Sequence, residues 1–499
     1  MRTKKALYNF IATISLQLII GVCGLIVPIL FIGAYGSEVN GLISSINQFL
    51  SYITLFEAGL SGVIMSQLYS PLARNDFEQC NSILADSRNF FKKIAAVYMI
   101  YVVLLAIIYP QIVSSSKSVL YISALVVILS TNLLLQYLFG ISNSVFIQAK
   151  QEGYVFSILQ IIVVVLNAVV VIFCIRINTS VHVLKLFGTV IAAISPVGVL
   201  FYVKKKYPII KQCQKGNSKN IKQRWDGMVH HLCYYIQNNI DIVLLTFVDL
   251  KLVSVYSIYY MITSTLRKVF ESFLTSFRSA MGDMYARGEL DHLRKTFSLL
   301  EFLVYSLTVA IFTAVYFSLT PFIKIYTSGI TDISYVNQSF AALMVIAEVC
   351  YTIRIPYHTM VNCTGLFKKT KQLAYQEAAI NVVVSSVFVF RFGIIGVAIG
   401  TAISCAYRTI RYWGFFTKNV LELKWRNIVG RVVTQIIIAI GILLLFSMMN
   451  LSATTFLKWV QNGIIYLITS TLISFCINSL VYKNDSKLFF EKMNSLLKR

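Results

Sequence analysis

Carboxylates are scarce in this chain of 499 residues: 20 Asp and Glu stand against 44 Lys and Arg, and charged residues of either sign make up only 13%. Water-soluble domains are about half apolar and about a quarter charged, whereas 57% of these residues are hydrophobic and the mean hydropathy is +0.73. That composition excludes a soluble globule. No G-x-x-x-x-G-K phosphate loop occurs, which excludes ATP hydrolysis by that route. No D-x-D occurs either, and the outer loops are short, which argues against a polysaccharide polymerase or glycosyltransferase. The nine cysteines include no C-x-x-C pair and are odd in number, so they read as small packing residues rather than disulfides or metal ligands. His230 and His231 have no partners at ligand spacing.

What is present is a series of long apolar runs. Only helices and closed barrels satisfy their backbone in hydrocarbon, and runs of this length, without period-two alternation, specify helices. Fourteen spans are expected, at 8–33, 39–68, 91–113, 118–146, 154–177, 181–203, 228–249, 252–281, 297–322, 335–362, 372–391, 393–416, 431–450 and 460–482. The leader MRTKK and the run after it read as an uncleaved first span rather than a signal peptide. With the N-terminus inside, 31 of the 44 Lys and Arg fall on inner segments and 6 on outer ones, with the other 7 inside spans. That bias places both termini in the cytoplasm. The net charge of +24 is then topology plus attraction to anionic lipid, and it implies no nucleic-acid partner.

Two halves are expected. Ala73-Arg74-Asn75-Asp76 after the second span resembles Ala286-Arg287-Gly288-Glu289 after the eighth, and a shift of 214 places Glu57 on Glu271 and Asn167 on Asn381. The expected division is a six-helix lobe over 1–203, a basic cytoplasmic linker over 204–227, a second six-helix lobe over 228–418, and two added spans with a basic tail over 419–499. An even number of helices per copy makes the repeat parallel, with a cavity expected between the lobes.

Charges inside the spans mark the candidate site. Span eight carries Arg267, Lys268 and Glu271 near its middle and Arg278 beyond them. Each mid-span charge facing lipid costs about 2.5–3.5 kcal/mol, so these must face water or partners. Arg267 and Glu271, four residues apart, are expected to pair, which leaves Lys268 and Arg278 for a cationic cavity. Arg354, just before Pro356, is expected where its helix breaks. Arg408 and Arg411 read as residues that snorkel to the inner surface. Glu57, Asp241, Glu271 and Glu348 are candidate carriers of a coupling H⁺ or Na⁺; no other cofactor and no metal is expected. An Arg-lined cavity selects an anion, and phosphate above all.

Residues 40–62, NGLISSINQFLSYITLFEAGLSG, are unusually wet for a membrane helix. Asn40, Ser44, Asn47, Ser51, Thr54, Ala58 and Ser61 alternate by four and three, which makes one small polar stripe. It reads as a cavity wall, with a tight helix seam as the alternative.

These first-span and second-span residues, YGSEVNGLISSINQFLSYITLFEAGLSGVIMSQLYSPLARND, and the later FGIIGVAIGTAIS at 392–404, resemble the polysaccharide-transport branch of the MOP (multidrug, oligosaccharidyl-lipid, polysaccharide) exporter superfamily, with Wzx-type O-antigen and capsule flippases most alike. The resemblance implies an all-α, V-shaped pair of lobes that alternates between inward-open and outward-open states. It implies a cargo of undecaprenyl-diphosphate-linked oligosaccharide moved from the inner to the outer leaflet, a cationic cavity that engages the diphosphate, and possible contacts with other polysaccharide-assembly membrane proteins. By position, Arg267, Lys268, Arg278 and Arg354 are the residues it would assign to that cavity. The related drug and cation antiporters share the architecture but serve cationic substrates with acidic cavities, and span eight is net positive.

Overall fold

Backbone groups in hydrocarbon must pair within their own segment, and every regular element among the described residues is helical. The computed structural model describes residues 2–57, 60–210, 225–275, 277–421, 425–449 and 451–497. The greater part of the expected linker, 211–224, lies outside them, as do Ala58 of the polar stripe and the side chains of His230 and His231.

The first half runs α1 (Arg2–Tyr35), α2 (Ser37–Ser51), a 3₁₀ turn (Tyr52–Glu57), α3 (Leu60–Arg74), α4 (Phe77–Ile112), α5 (Val119–Leu135), a π-helical turn (Gln136–Gly140), α6 (Ile141–Ala149), α7 (Gly153–Arg176), α8 (Val181–Ala192) and α9 (Ile194–Lys206). The second runs α10 (Trp225–Thr246), α11 (Leu250–Thr275), α12 (Arg278–Ala286), α13 (Leu290–Tyr326), α14 (Gln338–Thr364), α15 (Phe367–Phe392) and α16 (Ile394–Phe416), followed by α17 (Trp425–Met449), α18 (Phe456–Val481) and α19 (Lys483–Leu497). Starts are set by side-chain caps. Asp76 accepts from Gln79 N, Ser118 from Tyr121 N, Ser180 from Val183 N and Asn337 from Phe340 N.

Ten helices among the described residues are long and apolar enough to cross a membrane, and each coincides with one of the fourteen expected spans. The other four, 39–68, 228–249, 252–281 and 393–416, are helical but fall short for identifiable reasons. The first is interrupted at Tyr52–Glu57, and the other three are made more polar by Gln237, Asn238, Asn239 and Asp241, by Arg267, Lys268 and Glu271, and by Arg408 and Arg411. One expectation fails outright: α14 runs unbroken through Pro356, so Arg354 does not sit at a break.

The chain divides into two compact units. Unit 1 holds residues 1–235 together with 246–254, the tip of the α10–α11 hairpin. Within it, α2 lies so close to that tip that a Cβ on Gly41 would stand 1.7 Å from Leu250 O. Asn40 donates to Ser254 Oγ at 2.7 Å, and Ser45 shares a 2.6 Å hydrogen bond with Thr246. Outer helices such as α1 and α7 leave most of their apolar side chains exposed or half-buried, as expected where lipid is the solvent.

Unit 2 holds 236–245 and 255–499 and is centred on α13 and α14, whose apolar windows are mostly buried. Its tightest crossing is α15 on α16. Gly393, with φ 54°, makes the turn, and Gly396 and Gly400 then face α15. A Cβ on Gly396 would lie 2.3 Å from Phe388 O, and one on Gly400 2.1 Å from Ser385 Oγ and 2.7 Å from its amide nitrogen. The GIIGVAIG run is therefore a packing surface, and it brings Asn381 and Ser385 against Val397 and Thr401.

Candidate functional site: a polar interior in unit 2

Five helices of unit 2, α10, α11, α14, α15 and α16, turn polar side chains towards one another. Arg267 on α11 reaches across to α14, where its Nε donates to Glu348 Oε2 at 3.0 Å and its Nη2 pairs with Glu348 Oε1. The same guanidinium donates to Asn238 Oδ1. Glu271 is not its partner; it accepts from the Tyr351 hydroxyl at 2.7 Å. The expected Arg267–Glu271 pair gives way because α14 offers a buried carboxylate, and a bidentate fork is a stronger match than a neighbour on the same helix.

The Tyr351 ring stands between two guanidinium groups, with Arg267 at 4.5 Å and Arg354 at 4.7 Å from its centroid. Arg354 pairs with Glu377 at 2.5 Å, and the other oxygen of Glu377 pairs with Arg408. Arg408 also donates to Tyr412 at 2.8 Å. Arg408 does not snorkel; it is 5% exposed, because Glu377 makes the interior the cheaper place for its charge, while Arg411 is exposed as expected. This buried set holds three guanidinium groups and two carboxylates, one positive charge in excess.

Asp241 on α10 is 1% exposed and lies beside a mainly uncharged cluster. Its Oδ2 accepts from Tyr256 at 3.0 Å and from Thr401 at 2.8 Å, while its Oδ1 has no hydrogen-bond partner among the described residues. Asn381 Oδ1 accepts from Ser385 at 2.8 Å, Asn381 Nδ2 donates to Gln237 O at 3.3 Å, and Gln237 Oε1 is likewise without a partner among them. A cavity of about 20 Å³, room for a single water, is bordered by Gln237, Tyr256, Arg267, Glu348 and Thr401 among others.

The remaining candidates are placed as follows. Lys268 and Arg278 are exposed, and neither has an ion-pair partner among the described residues. The stripe of α2 belongs to unit 1. Asn47 is exposed, Ser44 is half-buried, Ser51 shares a hydrogen bond with Tyr235, and Thr54 donates to Ser51 O at 2.7 Å where the helix tightens into the 3₁₀ turn. Glu57 is half-buried, with Oε2 unpartnered among the described residues. Sequence reasoning placed no site role on Gln237, Asn381, Ser385 or Thr401. Their signal was the Gly396 and Gly400 spacing, which only the crossing of α15 and α16 converts into proximity.

No family model and no curated protein matches this chain. Solved structures do share its fold. A structure of the lipid II flippase MurJ in an inward closed conformation superposes with a TM-score of 0.69 at 16% identity, over 95% of this chain and 99% of that one. An inward-facing multidrug-resistance MATE transporter of the MOP superfamily gives 0.66 at 13% identity, over 83% and 98%. The MATE multidrug transporter DinF-BH gives 0.61 at 15% identity, over 85% and 96%. The chain thus has the all-helical fold found in these transporters and flippases.

Proposed function

We propose that this protein is a non-enzymatic flippase, a bacterial inner-membrane carrier that moves a polyprenyl-diphosphate-linked oligosaccharide from the inner to the outer leaflet by alternating access. The observation that carries the reading is the pair of cations on span eight, Lys268 and Arg278, that lack an ion-pair partner among the described residues, in a fold whose likeness to a lipid II flippase covers 95% of the chain. Arg267, Arg354 and Arg408 have structural partners; Lys268 and Arg278 are left for an anionic cargo, and the diphosphate is its anionic part. Carrying that group through hydrocarbon unaided would cost many kcal/mol, which a hydrated path avoids. The net positive charge of span eight, with Arg267, Lys268 and Arg278 against Glu271, speaks against a cationic drug as cargo. O-antigen or capsule repeat units are the proposed cargo class, and both termini are placed in the cytoplasm.

Coupling to H⁺ or Na⁺ is assigned to Asp241. Glu348 is held by Arg267 and Glu271 by Tyr351; Glu57 and Asp241 each keep one oxygen unpartnered among the described residues, but Glu57 is half-buried whereas Asp241 is 1% exposed and has the Thr401 hydroxyl 2.8 Å from its other oxygen. Asp241→Asn is expected to remove the dependence of transport on an imposed ion gradient; a variant that keeps that dependence rules this residue out.

The cargo assignment is tested with Lys268→Ala/Arg278→Ala. In proteoliposomes carrying a fluorescent lipid-linked oligosaccharide, translocation is expected to fall at least tenfold with the thermal midpoint unchanged, since neither residue holds an ion pair among the described residues. Unchanged translocation overturns the assignment. Arg267→Ala is the wrong probe, because it leaves Glu348 buried without its guanidinium.

A further inference from the structure

Unit 1 contains a second cavity, of about 220 Å³, open on one side and bordered by α3, the π-helical turn with α6, α7 and α9, with Gln148 exposed at it. Its polar lining is Gln136, Gln148 and Gln160 with Ser61, Ser144 and Ser195, and no charged residue borders it among the described residues. Six uncharged polar side chains thus line one hollow between otherwise apolar helices. The helices that bound it are also interrupted around it. The π turn Gln136–Gly140 leads into α6, a turn at Ala193 separates α8 from α9 just before Ser195 and Pro196, and the 3₁₀ turn Tyr52–Glu57 precedes α3, which opens with Ser61. Pro196 presses on Gly140, where a Cβ would meet it at 3.0 Å. Such interruptions free backbone groups and are tolerated in a membrane protein where protein or a hydrated cavity takes them up.

The lining has hydrogen-bonding capacity to spare. Gln160 donates to Ser195 Oγ at 3.1 Å and Gln136 to Asn132 Oδ1 at 3.4 Å, and in each the amide oxygen remains available. The side chains of Gln148 and Ser144 make no hydrogen bond among the described residues. Amides that offer a donor and an acceptor side by side match the adjacent hydroxyls of a sugar, while the uncharged lining gives phosphate and cations no counter-charge. Phe156 on the same wall gives an apolar ring for the C–H face of such a ligand. The volume is many times the ~10–15 Å³ that one water needs, and it admits a sugar ring.

We infer that this cavity binds one uncharged sugar ring of the lipid-linked cargo, apart from the cations of unit 2 that serve its diphosphate. The inference rests on the flippase reading for the origin of the sugar, and on different residues for its recognition. The test uses the full-length protein in proteoliposomes with two probes: a polyprenyl diphosphate bearing a disaccharide of uncharged hexoses, with a photoactivatable diazirine on the outer sugar, and the same lipid diphosphate without sugar. In the wild type, crosslinks are expected within residues 136–160. Gln148→Leu/Gln160→Leu is expected to abolish them and to slow the glycolipid at least tenfold while sparing the sugar-free lipid and the thermal midpoint. Equal loss for both probes, or an unchanged glycolipid rate with crosslinks elsewhere, overturns the inference while the flippase reading stands. Should the wild type move neither probe, the flippase reading fails. Photolabelling by the free diazirine disaccharide then decides the cavity alone: labelling of 136–160 supports the site, and its absence overturns it.

Discussion

Glu377 is the residue whose removal should cost most. It is 1% exposed, and its two oxygens are taken by Arg354 and Arg408, themselves only 4% and 5% exposed. Glu377→Gln keeps the shape but removes the charge both guanidinium groups depend on, and it turns one oxygen into an NH₂ that faces a donor. Breaking a buried ion pair from one side costs about 3–5 kcal/mol because the other charge stays behind, and here two charges stay behind. Against a net stability of about 5–15 kcal/mol, the variant should lose much of its folded population. Purified protein in detergent, followed by thermal and denaturant unfolding, should show a loss of at least ~3 kcal/mol relative to wild type. The matching control is Arg354→Met/Glu377→Leu/Arg408→Met, which removes all three charges together; apolar replacement of a whole buried ion cluster is often neutral or stabilising. This control should recover most of what Glu377→Gln loses. If Glu377→Gln unfolds within ~1 kcal/mol of wild type, the argument that the cluster holds α14, α15 and α16 together is wrong.

Gly400→Ala puts a Cβ 2.1 Å from Ser385 Oγ and 2.7 Å from its backbone nitrogen, and the backbone cannot step aside. A loss of about 1–3 kcal/mol is expected, and because Ser385 anchors Asn381, ion-dependent transport should suffer as well; an unaltered unfolding midpoint would falsify the close packing of α15 on α16. Glu152, in the connection between α6 and α7, tests pH. Burial would raise its pKa, but hydrogen bonds from Lys5 at 2.7 Å, Lys206 at 3.0 Å and Tyr202 at 3.0 Å prevail and hold it at about 2, below the ordinary 4.5. A carboxyl depressed on folding stabilises above its unfolded pKa and loses that stabilisation as pH falls from 4.5 towards 2. Wild type should therefore exceed Glu152→Gln by a constant margin, on the order of 1 kcal/mol for partners this exposed, at pH 6–8, with the margin shrinking below pH 4.5. A margin that grows on acidification contradicts the depressed pKa.

Composition and periodicity alone determined the class of this protein. Few carboxylates, long apolar runs and Lys and Arg gathered on alternate connections specify a polytopic helical membrane protein, because hydrocarbon leaves the backbone no other way to satisfy itself. The same logic required Arg267 to have a partner or water. What it could not supply was the partner's identity. Glu271 is the neighbour visible in the sequence, four residues on, but Glu348 lies 81 positions away and meets Arg267 only because α11 packs beside α14. Likewise Arg408, near a helix end, looked free to reach the surface until α15 placed Glu377 against it. Pro356 looked like a break, yet α14 continues through it. The uncharged cavity of unit 1 is the extreme case: Gln136, Gln148 and Gln160 are unremarkable along the chain and converge only through a π turn, a bend at Ala193 and the contact of Pro196 with Gly140. Solvent partitioning is a property each segment carries by itself, so sequence decides which segments enter the membrane. Pairing of charges and the shaping of hollows depend on which helices become neighbours, and that is decided only in the folded structure.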